Sequence, residues 1–335
     1  MRARPPDLDD EAVTGALADG WGLHTTSVEY LPEGGGSHHW KVADATGGEF
    51  FVTVDDLDQR DWLGHTREEV LDGARRALTT VAALRGDAGL RFVVAPLAGA
   101  DGALVRRVGV RYAVSVYPFL AGTSYQFGPY TDPGLRAAVV GMLAALHAAP
   151  PAVAGIAPPR QPVVGYRGDL DAFLREPGRP WDAGPFSRPA QEALSAHAPE
   201  LRAVTAGFDR LARRGAWEAG SVVTHGEPHP ANVMAVAGEL VLVDWDTVGL
   251  APPERDLWLV VEDGSEDARR YEAATGHAVD PAAMTMYRLR WYLDDIASAA
   301  HLFRHPHERT TDAQRWWDGL APRLGSLASW RKTLS

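Results

Sequence analysis

The chain has 335 residues and a formal net charge of −11; 45% of its residues are hydrophobic and none is cysteine. This composition predicts a globular protein with a sizeable core, and the lack of cysteine excludes a disulfide framework or a thiolate metal site. The acidic balance argues against nucleic acid as a partner and favours a cationic small molecule, although acidity for solubility alone explains it equally well.

The hydrophobic pattern alternates strands and helices in the N-terminal third and is mainly helical afterwards. Residues 150–188 are rich in Pro, Gly and Arg and are expected to form surface loops. In chain order, the predicted elements are a helix at 9–22, strands at 27–31, up to Val42 and at 50–54, a helix at 66–85, strands at 91–96 and 106–120, helices at 132–149, 168–175 and 189–214, a hairpin turning at Gly238-Glu239, and helices at 266–276, 281–304 and 312–332.

No segment has the composition of a membrane span or an export signal. The apolar runs all fall short of the ~18 residues that a spanning helix needs. The N-terminus, MRARPPD, has basic residues without an apolar stretch behind them, so it does not resemble a secretory signal. We therefore expect a soluble, cytoplasmic protein that has no membrane partner.

A glycine-rich turn separates the first two strands. It contains Gly34, Gly35 and Gly36, followed by Ser37. Glycine lets the backbone approach a ligand closely and aim N–H groups at phosphates. A plain hairpin turn explains the same residues, so the turn alone does not identify a phosphate site.

Residues 222–258 concentrate polar side chains in two loops joined by a hairpin. The first loop holds Glu227 and Asn232, and the second holds Asp244 and Asp246. Mg²⁺ prefers oxygen ligands, typically one or two carboxylates with phosphate oxygens. An acid and an amide five positions apart, followed by an acid after a strand, match the catalytic and metal loops of a phosphotransferase. An acidic hairpin with a structural Asp–Arg pair is the simpler alternative.

The pattern H-G-[D/E]-x-x-x-x-N, followed by D-W-D, resembles the aminoglycoside phosphotransferase family, distant relatives of the protein kinases. The segment APPERDL at residues 251–257 is similar to the spectinomycin phosphotransferase branch of that family. The resemblance implies an α+β, bilobal protein-kinase-like fold, with an N-terminal antiparallel-sheet lobe at residues 1–120 and a mainly helical lobe at residues 121–335. It also implies a kinase that uses Mg²⁺ and ATP or GTP.

The resemblance assigns roles to the residues of the two loops. Asp244 takes the place of the metal-binding acid and Asn232 that of the second metal ligand, while Asp246 contacts the metal or orients the loop. Glu227 takes the place of the catalytic carboxylate. His225 is expected to be structural, with its imidazole bonded to backbone. Asp256 is expected to pair with the loop backbone or with an arginine.

The resemblance also places the nucleotide against the N-terminal lobe. The glycine-rich turn, from Gly34 to Ser37, takes the place of the phosphate-covering loop. The backbone from about Tyr117 to Leu120, including Phe119, would bind adenine. Glu68 or Glu69, at the start of the helix at 66–85, could be the acid that pairs with the nucleotide lysine, although a solvated first turn is equally expected.

The first departure from the family pattern is the missing nucleotide lysine. Thr53 stands at that position, and the 33 basic residues of the chain include only two lysines. Lys41, on the neighbouring strand, could point into the same cleft; otherwise an arginine such as Arg106 or Arg107 must serve. The acidic run at residues 55–58 would repel phosphates unless a metal or an arginine intervenes.

The second departure is Glu227, which replaces the aspartate of the family. A glutamate keeps the carboxylate but extends its reach by about 1.5 Å. A misplacement of ~1 Å can slow a reaction on the order of 10²-fold. The position of the loop backbone therefore decides whether Glu227 can act as the base.

The leading interpretation is a phosphotransferase that moves the γ-phosphate of ATP or GTP to a hydroxyl of a small, cationic aminoglycoside- or aminocyclitol-like compound. Asp294 and Asp295 are candidates to bind this acceptor, because C-terminal helices wall the substrate pocket in the family. Their aromatic and acidic helix is more often part of a core. Antibiotic resistance and assembly of a metabolite are both compatible with this reaction.

Two other functions fit parts of the pattern. The departures at Thr53 and Glu227 favour a catalytically impaired kinase fold with a binding or regulatory role. A zinc hydrolase would use His225, Glu227 and His229. Its spacing, H-x-E-x-H, differs from the helical H-E-x-x-H pattern, and Pro228 and Pro230 would break a helix.

Overall fold

The computed structural model describes residues 1–5, 7–214 and 220–334. The helices and strands largely follow the predicted order. They are α1 (Asp10–Trp21), β1 (Thr25–Leu31), β2 (His38–Asp44), β3 (Glu49–Asp56), α2 (Arg67–Gly86), β4 (Arg106–Val108), β5 (Tyr112–Pro118), β6 (Gly122–Ser124), α3 (Pro133–His147), α4 (Pro151–Ala154), α5 (Arg167–Arg175), α6 (Ser187–Ala196), α7 (Ala198–Arg214), β7 (Val222–Thr224), β8 (Val233–Val236), β9 (Glu239–Leu242), β10 (Gly249–Ala251), α8 (Glu254–Val260), α9 (Glu266–Thr275), α10 (Pro281–Arg304), α11 (Thr311–Gly325) and α12 (Leu327–Thr333). Short 3₁₀ turns lie at Leu57–Gln59 and Pro230–Asn232.

The chain packs into two compact units. One comprises Met1–Arg160 with Trp217–Val279, and the other comprises Gln161–Ala216 with Asp280–Ser335. The second unit is built from α5, α6 and α7 together with α10, α11 and α12. The boundary predicted at residue 120 separates a nucleotide-binding lobe from an acceptor-binding lobe, and it stays a prediction.

The first unit is organised around an antiparallel sheet with the strand order β1-β2-β3-β5-β4. Successive residues of a strand point to opposite faces, so one face buries Trp40, Val52 and Val114 in a cluster with Leu17 of α1. The other face carries Ala113, which belongs to a second cluster with apolar residues of α2. Burial stabilises the fold by roughly 1.5–3 kcal/mol for each large apolar side chain.

The strand predicted at residues 91–96 is wrong. Val93 forms one isolated parallel bridge to Leu242, the last residue of β9. The described residues on either side of Val93 do not extend this bridge into a strand. Val93 is 2% exposed, so its apolar character reflects burial. The N–H of Leu242 donates to the carbonyl of Phe92, and the N–H of Val94 donates to the carbonyl of Leu242. Both hydrogen bonds therefore involve the same residue of β9.

The hairpin that joins the two polar loops turns one residue earlier than predicted. Its central residues are Ala237 and Gly238, with φ of 50° and 86°, and Glu239 already pairs with Val236. Positive φ at both positions defines a type I′ turn, whose twist matches that of the flanking strands. The register pairs Val233 with Leu242 and thereby aligns the ends of the two loops.

The second unit is helical, with two differences from the predicted pattern. The segment predicted at 189–214 is two helices, since Pro199 is accepted in the first turn of α7 but not in the interior of a longer helix. The segment predicted at 312–332 is interrupted at Ser326. The expected surface loops also contribute to the core, because Trp181 and Phe186 are buried. Among the described residues, no helix is long and apolar enough to cross a membrane.

Candidate functional site

A buried carboxylate anchors the first polar loop. Asp256 accepts hydrogen bonds from the backbone N–H groups of His225, at 2.8 Å, and Gly226, at 2.6 Å. Its carboxylate also lies 3.0 Å from Nε2 of His147, whose Nδ1 lies 2.7 Å from the hydroxyl of Tyr271. Burial alone would raise the pKa of Asp256, but its hydrogen bond with His147 and the positive charge of Arg255 hold it below its ordinary value. The predicted pairing of Asp256 with the loop backbone is confirmed.

Replacing Asp256 by asparagine is expected to lower the free energy of unfolding by about 3 kcal/mol. An amide offers one acceptor oxygen, and its NH₂ group would face a backbone N–H that now meets a carboxylate oxygen. Urea unfolding of both proteins measures the difference. Asp132→Asn is the control, because Asp132 caps α3 at an exposed position where asparagine also caps. Equal stability of the two variants would contradict the anchoring role.

The imidazole of His225 ties the first loop to the second. Its Nε2 lies 3.0 Å from the carbonyl oxygen of Val243, and its Nδ1 accepts a hydrogen bond from the Glu227 N–H at 3.2 Å. Burial lowers the pKa of His225, so the ring is neutral and Nε2 is its donor. Gly226 has φ of 100°, and a Cβ there would lie 2.3 Å from the guanidinium of Arg255. His225 is therefore structural, as predicted.

Asn232 is held between the two loops. Its side-chain Nδ2 donates to the backbone carbonyl of Glu227 at 2.9 Å. Its backbone carbonyl accepts a hydrogen bond from the N–H of Val243 at 3.0 Å. Asn232 is 6% exposed. Because the amide nitrogen is engaged, its side-chain oxygen is the atom that could coordinate a cation.

Asp244 begins the second loop in a left-handed backbone conformation, with φ of 64°. Aspartate is among the few residues that tolerate this conformation. Its side chain is solvent-accessible, yet the surrounding protein removes part of its hydration. The loss of hydration is the largest cause that raises the pKa of Asp244, and the negative charges of Asp246 and Glu227 raise it further. The positive charge of Arg60 opposes the rise. The structure thus brings three carboxylates into mutual repulsion, a situation that a bound cation would relieve.

Lys41 shares a sheet face with Thr53 but is directed away from it. The register pairs Lys41 with Phe51, two residues before Thr53. The Nζ of Lys41 forms an ion pair with Glu49 at 2.6 Å and lies 4.2 Å from the centre of the Phe119 ring. Since Glu49 lies on the other side of Phe51, the lysine does not supply its charge at Thr53 in this structure.

Uncharged groups surround the position of the missing lysine. Thr53 pairs with His39, and its hydroxyl lies 3.4 Å from Nδ1 of that ring. The imidazole stacks on Phe51 with ring centres 4.9 Å apart. Burial, together with the positive charges of the N-terminus and Arg60, lowers the pKa of His39 to about 3. The ring is therefore neutral at pH 7.

An arginine that the sequence analysis did not single out lies among the candidate residues. Arg60 follows the 3₁₀ turn after β3 and is 2% exposed. Its guanidinium forms ion pairs with Asp55, at the end of β3, and with Asp246, and it donates a hydrogen bond to the hydroxyl of Ser37. Burial opposes its charge, but the carboxylates of Asp55, Asp246 and Asp244 hold the pKa of Arg60 above its ordinary value.

The glycine-rich turn is closed by contacts of Ser37. Its hydroxyl donates to Asp55 at 2.7 Å, and its carbonyl accepts a hydrogen bond from the amino group of Met1. Gly34 has φ of 74°, a conformation that glycine adopts without strain. The turn is thus drawn towards the end of β3 and towards Arg60.

The remaining charged candidates of the N-terminal strands and helix are engaged near the sheet edge. Glu69 closes a capping box, accepting the N–H of Thr66 at 3.0 Å. Glu68 pairs with Arg107. Arg106 pairs with an aspartate of the preceding loop at 2.5 Å. None of these ion pairs includes a residue of the two polar loops.

The adenine site is predicted at the end of β5. The N–H of Phe119 donates to the carbonyl of Glu49 at 3.1 Å, so that donor is already used. Tyr117 pairs with Phe51 across the sheet. Loss of hydration, followed by the charge of Asp55, raises the pKa of Tyr117, which keeps its hydroxyl protonated at neutral pH.

The predicted acceptor residues lie on α10 in the second unit. Asp294 accepts the N–H of Gly165 at 2.7 Å and pairs with Arg290 at 2.9 Å. Asp295 pairs with Arg323 at 2.7 Å. These bonds fix the orientation of both carboxylates, and their role in binding an acceptor stays a prediction.

The second unit also holds a cluster of one aspartate and two histidines. The ligand atoms of Asp169, His301 and His305 lie within 4.8 Å of one another. The guanidinium of Arg304 lies 3.4 Å from the same aspartate. This neighbouring positive charge already pairs with the carboxylate and opposes a metal ion there.

Comparison with known proteins places this geometry in a family. The model of the Phosphotransferase enzyme family matches residues 28–292, a span that contains both polar loops. Protein StrN of Streptomyces griseus is 28% identical over 266 residues, which cover 77% of this chain and 79% of StrN.

Solved structures share the fold at low sequence identity. Spectinomycin phosphotransferase, APH(9)-Ia, in complex with ADP and spectinomycin, has a TM-score of 0.70 at 14% identity, covering 98% of this chain and 99% of that chain. Amicoumacin kinase hAmiN, in complex with AMP-PNP and Ca²⁺, has a TM-score of 0.54 at 13% identity, covering 96% and 94%. The predicted α+β kinase-like fold is confirmed. Since the family model spans most of the chain, the protein belongs to the Phosphotransferase enzyme family, as its two loop motifs indicated.

Proposed function

We propose that the protein transfers the γ-phosphoryl group of ATP or GTP to a hydroxyl of a small cationic compound of the aminoglycoside or aminocyclitol class. The observation that carries the proposal is the grouping of Glu227, Asn232, Asp244 and Asp246 on two loops that one buried hydrogen-bond network holds together. Phosphoryl transfer depends on positioning and on electrostatic stabilisation. A rigid pair of loops suits that requirement.

Asp244 and Asn232, with Asp246 as a further candidate, would hold Mg²⁺. Their donor atoms are all oxygens, which suits a hard cation better than a transition metal. Loss of hydration, and after it repulsion from Asp246 and Glu227, raises the pKa of Asp244, and a bound cation would relieve that repulsion. Bound there, Mg²⁺ would neutralise charge on the nucleotide phosphates.

Glu227 would accept the proton of the acceptor hydroxyl. Its N–H is bonded to His225 and its carbonyl to Asn232, so the backbone of this residue is held from both sides. The longer glutamate side chain then extends from a fixed point. We therefore assign Glu227 the role of base at its own reach, rather than at the reach of an aspartate.

The nature of the acceptor rests on charge and on relatives. The net charge of −11 favours a cationic acceptor through long-range attraction. One solved relative was crystallised in complex with spectinomycin, and the other is named as an amicoumacin kinase. Asp294 and Asp295 remain our candidates for contacts with the acceptor. Residues 1–120 and 121–335 would act as the nucleotide and the acceptor lobes.

A thermal-shift and turnover panel tests the proposal. We expect Mg²⁺ with ATP or GTP at millimolar concentration to raise the melting temperature, and phosphate transfer to appear with at least one aminocyclitol in a panel that includes spectinomycin. If no nucleotide shifts the melting temperature, the kinase proposal falls. If nucleotide binds but is neither hydrolysed nor transferred, the impaired kinase fold is supported instead.

A further inference from the structure

The proposed reaction requires positive charge beside the nucleotide phosphates, and the usual source is missing. Thr53 stands at the lysine position, and its cross-strand partner His39 is neutral. Lys41 is paired with Glu49, and the only other lysine of the sequence is Lys332, close to the end of the chain. A replacement must therefore be an arginine.

Arg60 is an arginine whose guanidinium the structure brings to the side chains of this place, whereas Arg160 donates to backbone carbonyls of the second loop, at Asp246 and Val248. Arg60 connects three parts of the candidate site, which are Ser37 of the glycine-rich turn, Asp55 at the end of β3 and Asp246 of the second loop. Strand register explains the first link, because Ser37 and Asp55 extend the pairing of His38 with Val54 by one residue on each strand. The guanidinium thus lies where a phosphate-covering turn and a metal loop meet.

We propose that Arg60 binds the nucleotide phosphates in place of the family lysine; this inference rests on the proposed function. In the free protein its charge is balanced by Asp55 and Asp246. Binding of the metal by the second loop would withdraw Asp246, and the guanidinium would exchange that carboxylate for phosphate oxygens. A planar guanidinium fork matches phosphate in the same way as carboxylate.

The hydrogen-bond pattern of Arg60 supports an additional acceptor. Its Nε is buried and has no hydrogen-bond partner in the part of the chain that the structure describes. A buried donor without an acceptor is unfavourable, and few are left so in folded proteins. A phosphate oxygen would satisfy it. A purely structural clamp between Asp55 and Asp246 gives this atom no role.

Arg111 provides a matched structural comparison on the opposite face of the sheet. It forms a two-pronged pair with Asp56, through Nε at 3.0 Å and a terminal nitrogen at 2.7 Å. Asp55 and Asp56 are consecutive in β3, so their side chains point to opposite faces. Removing either arginine leaves an unpaired aspartate at the end of one strand, but only Arg60 contacts the second polar loop.

Calorimetric binding of Mg²⁺-ATP and of adenosine to the full chain tests the proposal. We expect Arg60→Met to weaken ATP about 10- to 100-fold and adenosine less than twofold, because the lost contacts involve phosphate alone. Arg60→Lys should recover part of the ATP affinity. Arg111→Met should bind both ligands as wild type does, despite its lost ion pair.

The outcomes separate this inference from the proposed function. If wild type binds no ATP, the proposed function fails. If wild type binds ATP and Arg60→Met binds it equally well, or if Lys41→Met loses more affinity, the inference about Arg60 is overturned while the function stands. Asp55→Asn keeps the test decisive if Arg60→Met does not fold. It should tighten ATP binding by freeing the guanidinium, whereas a structural clamp predicts weaker binding.

Discussion

Replacing Asp244 by asparagine should lower turnover on the order of 10³-fold and, in the absence of metal, make the protein more stable. The loss follows because Asp244 is the carboxylate we assign to Mg²⁺. The gain follows because loss of hydration, and after it the charges of Asp246 and Glu227, already raise the pKa of Asp244, so removing its charge relieves both penalties. A substitution that damages function and improves stability is the expected signature of a metal site studied without its metal.

The backbone at this position decides which substitution is informative. Asp244 has φ of 64°, and asparagine tolerates left-handed conformations about as well as aspartate does. Alanine would add strain of roughly 1–2 kcal/mol. Asp244→Ala should therefore melt below Asp244→Asn, although both lose the same charge. Asp87→Asn, which removes an exposed carboxylate at the end of α2, is the control for charge alone.

Two measurements check this prediction. Melting temperatures with and without Mg²⁺ should show that nucleotide stabilises wild type more when the metal is present, and that Asp244→Asn has lost the dependence. Turnover measured against Mg²⁺ concentration gives the kinetic counterpart. Wild-type activity in Asp244→Asn would remove this residue from the metal site, and a lower metal-free melting temperature would contradict the repulsion argument.

Local features of the fold could be predicted from the sequence because they depend on neighbouring residues. Asp132 caps α3 with Pro133 in its first turn, as expected from the residue types alone. The loop motifs also predicted that His225 would be structural and that Asp256 would bind the loop backbone. The partners in both contacts are separated by about thirty residues or fewer along the chain. The pattern of polar and apolar residues between them leaves few ways for the chain to bring them together.

Arg60 could not be predicted in the same way. Its partner Asp246 is 186 residues away in the chain, and no periodicity connects the two positions. The acidic run at residues 55–58 was a partial signal, since clustered carboxylates near a phosphate site require a metal or an arginine. It did not indicate which of many arginines would serve. The register of β2 against β3 places Ser37 beside Asp55, and this register had to come from the structure.

The segment around Val93 shows a second reason for failure. A short continuous run of apolar residues predicts a buried strand, but a buried extended segment has the same composition. Val93 is buried without joining a ladder, because β9 offers it only Leu242. Hydrophobic pattern reports burial, and the number of available backbone partners decides whether burial becomes a strand.

Replacing Glu227 by glutamine should lower kcat about 10²- to 10⁴-fold, the usual contribution of a general base, with little change in the KM for nucleotide. The amide keeps the shape of the side chain but cannot accept the proton of the acceptor hydroxyl. Initial rates over a range of nucleotide and acceptor concentrations measure both constants. Glu239→Gln, on an exposed position of the hairpin, is the matched control and should behave as wild type.

Glu227→Asp tests whether the departure from the family aspartate is a defect or an adaptation. The loop cannot easily move to compensate for a shorter side chain, because His225 holds the N–H of Glu227 and Asn232 holds its carbonyl. Aspartate would fall short by about 1.5 Å, and we expect kcat to decrease on the order of 10²-fold. Such a decrease means that the acceptor is bound at the distance a glutamate reaches. Faster turnover with aspartate would instead mean that Glu227 is misplaced, and it would favour the impaired kinase. Unchanged kcat in Glu227→Gln would exclude this residue as the base.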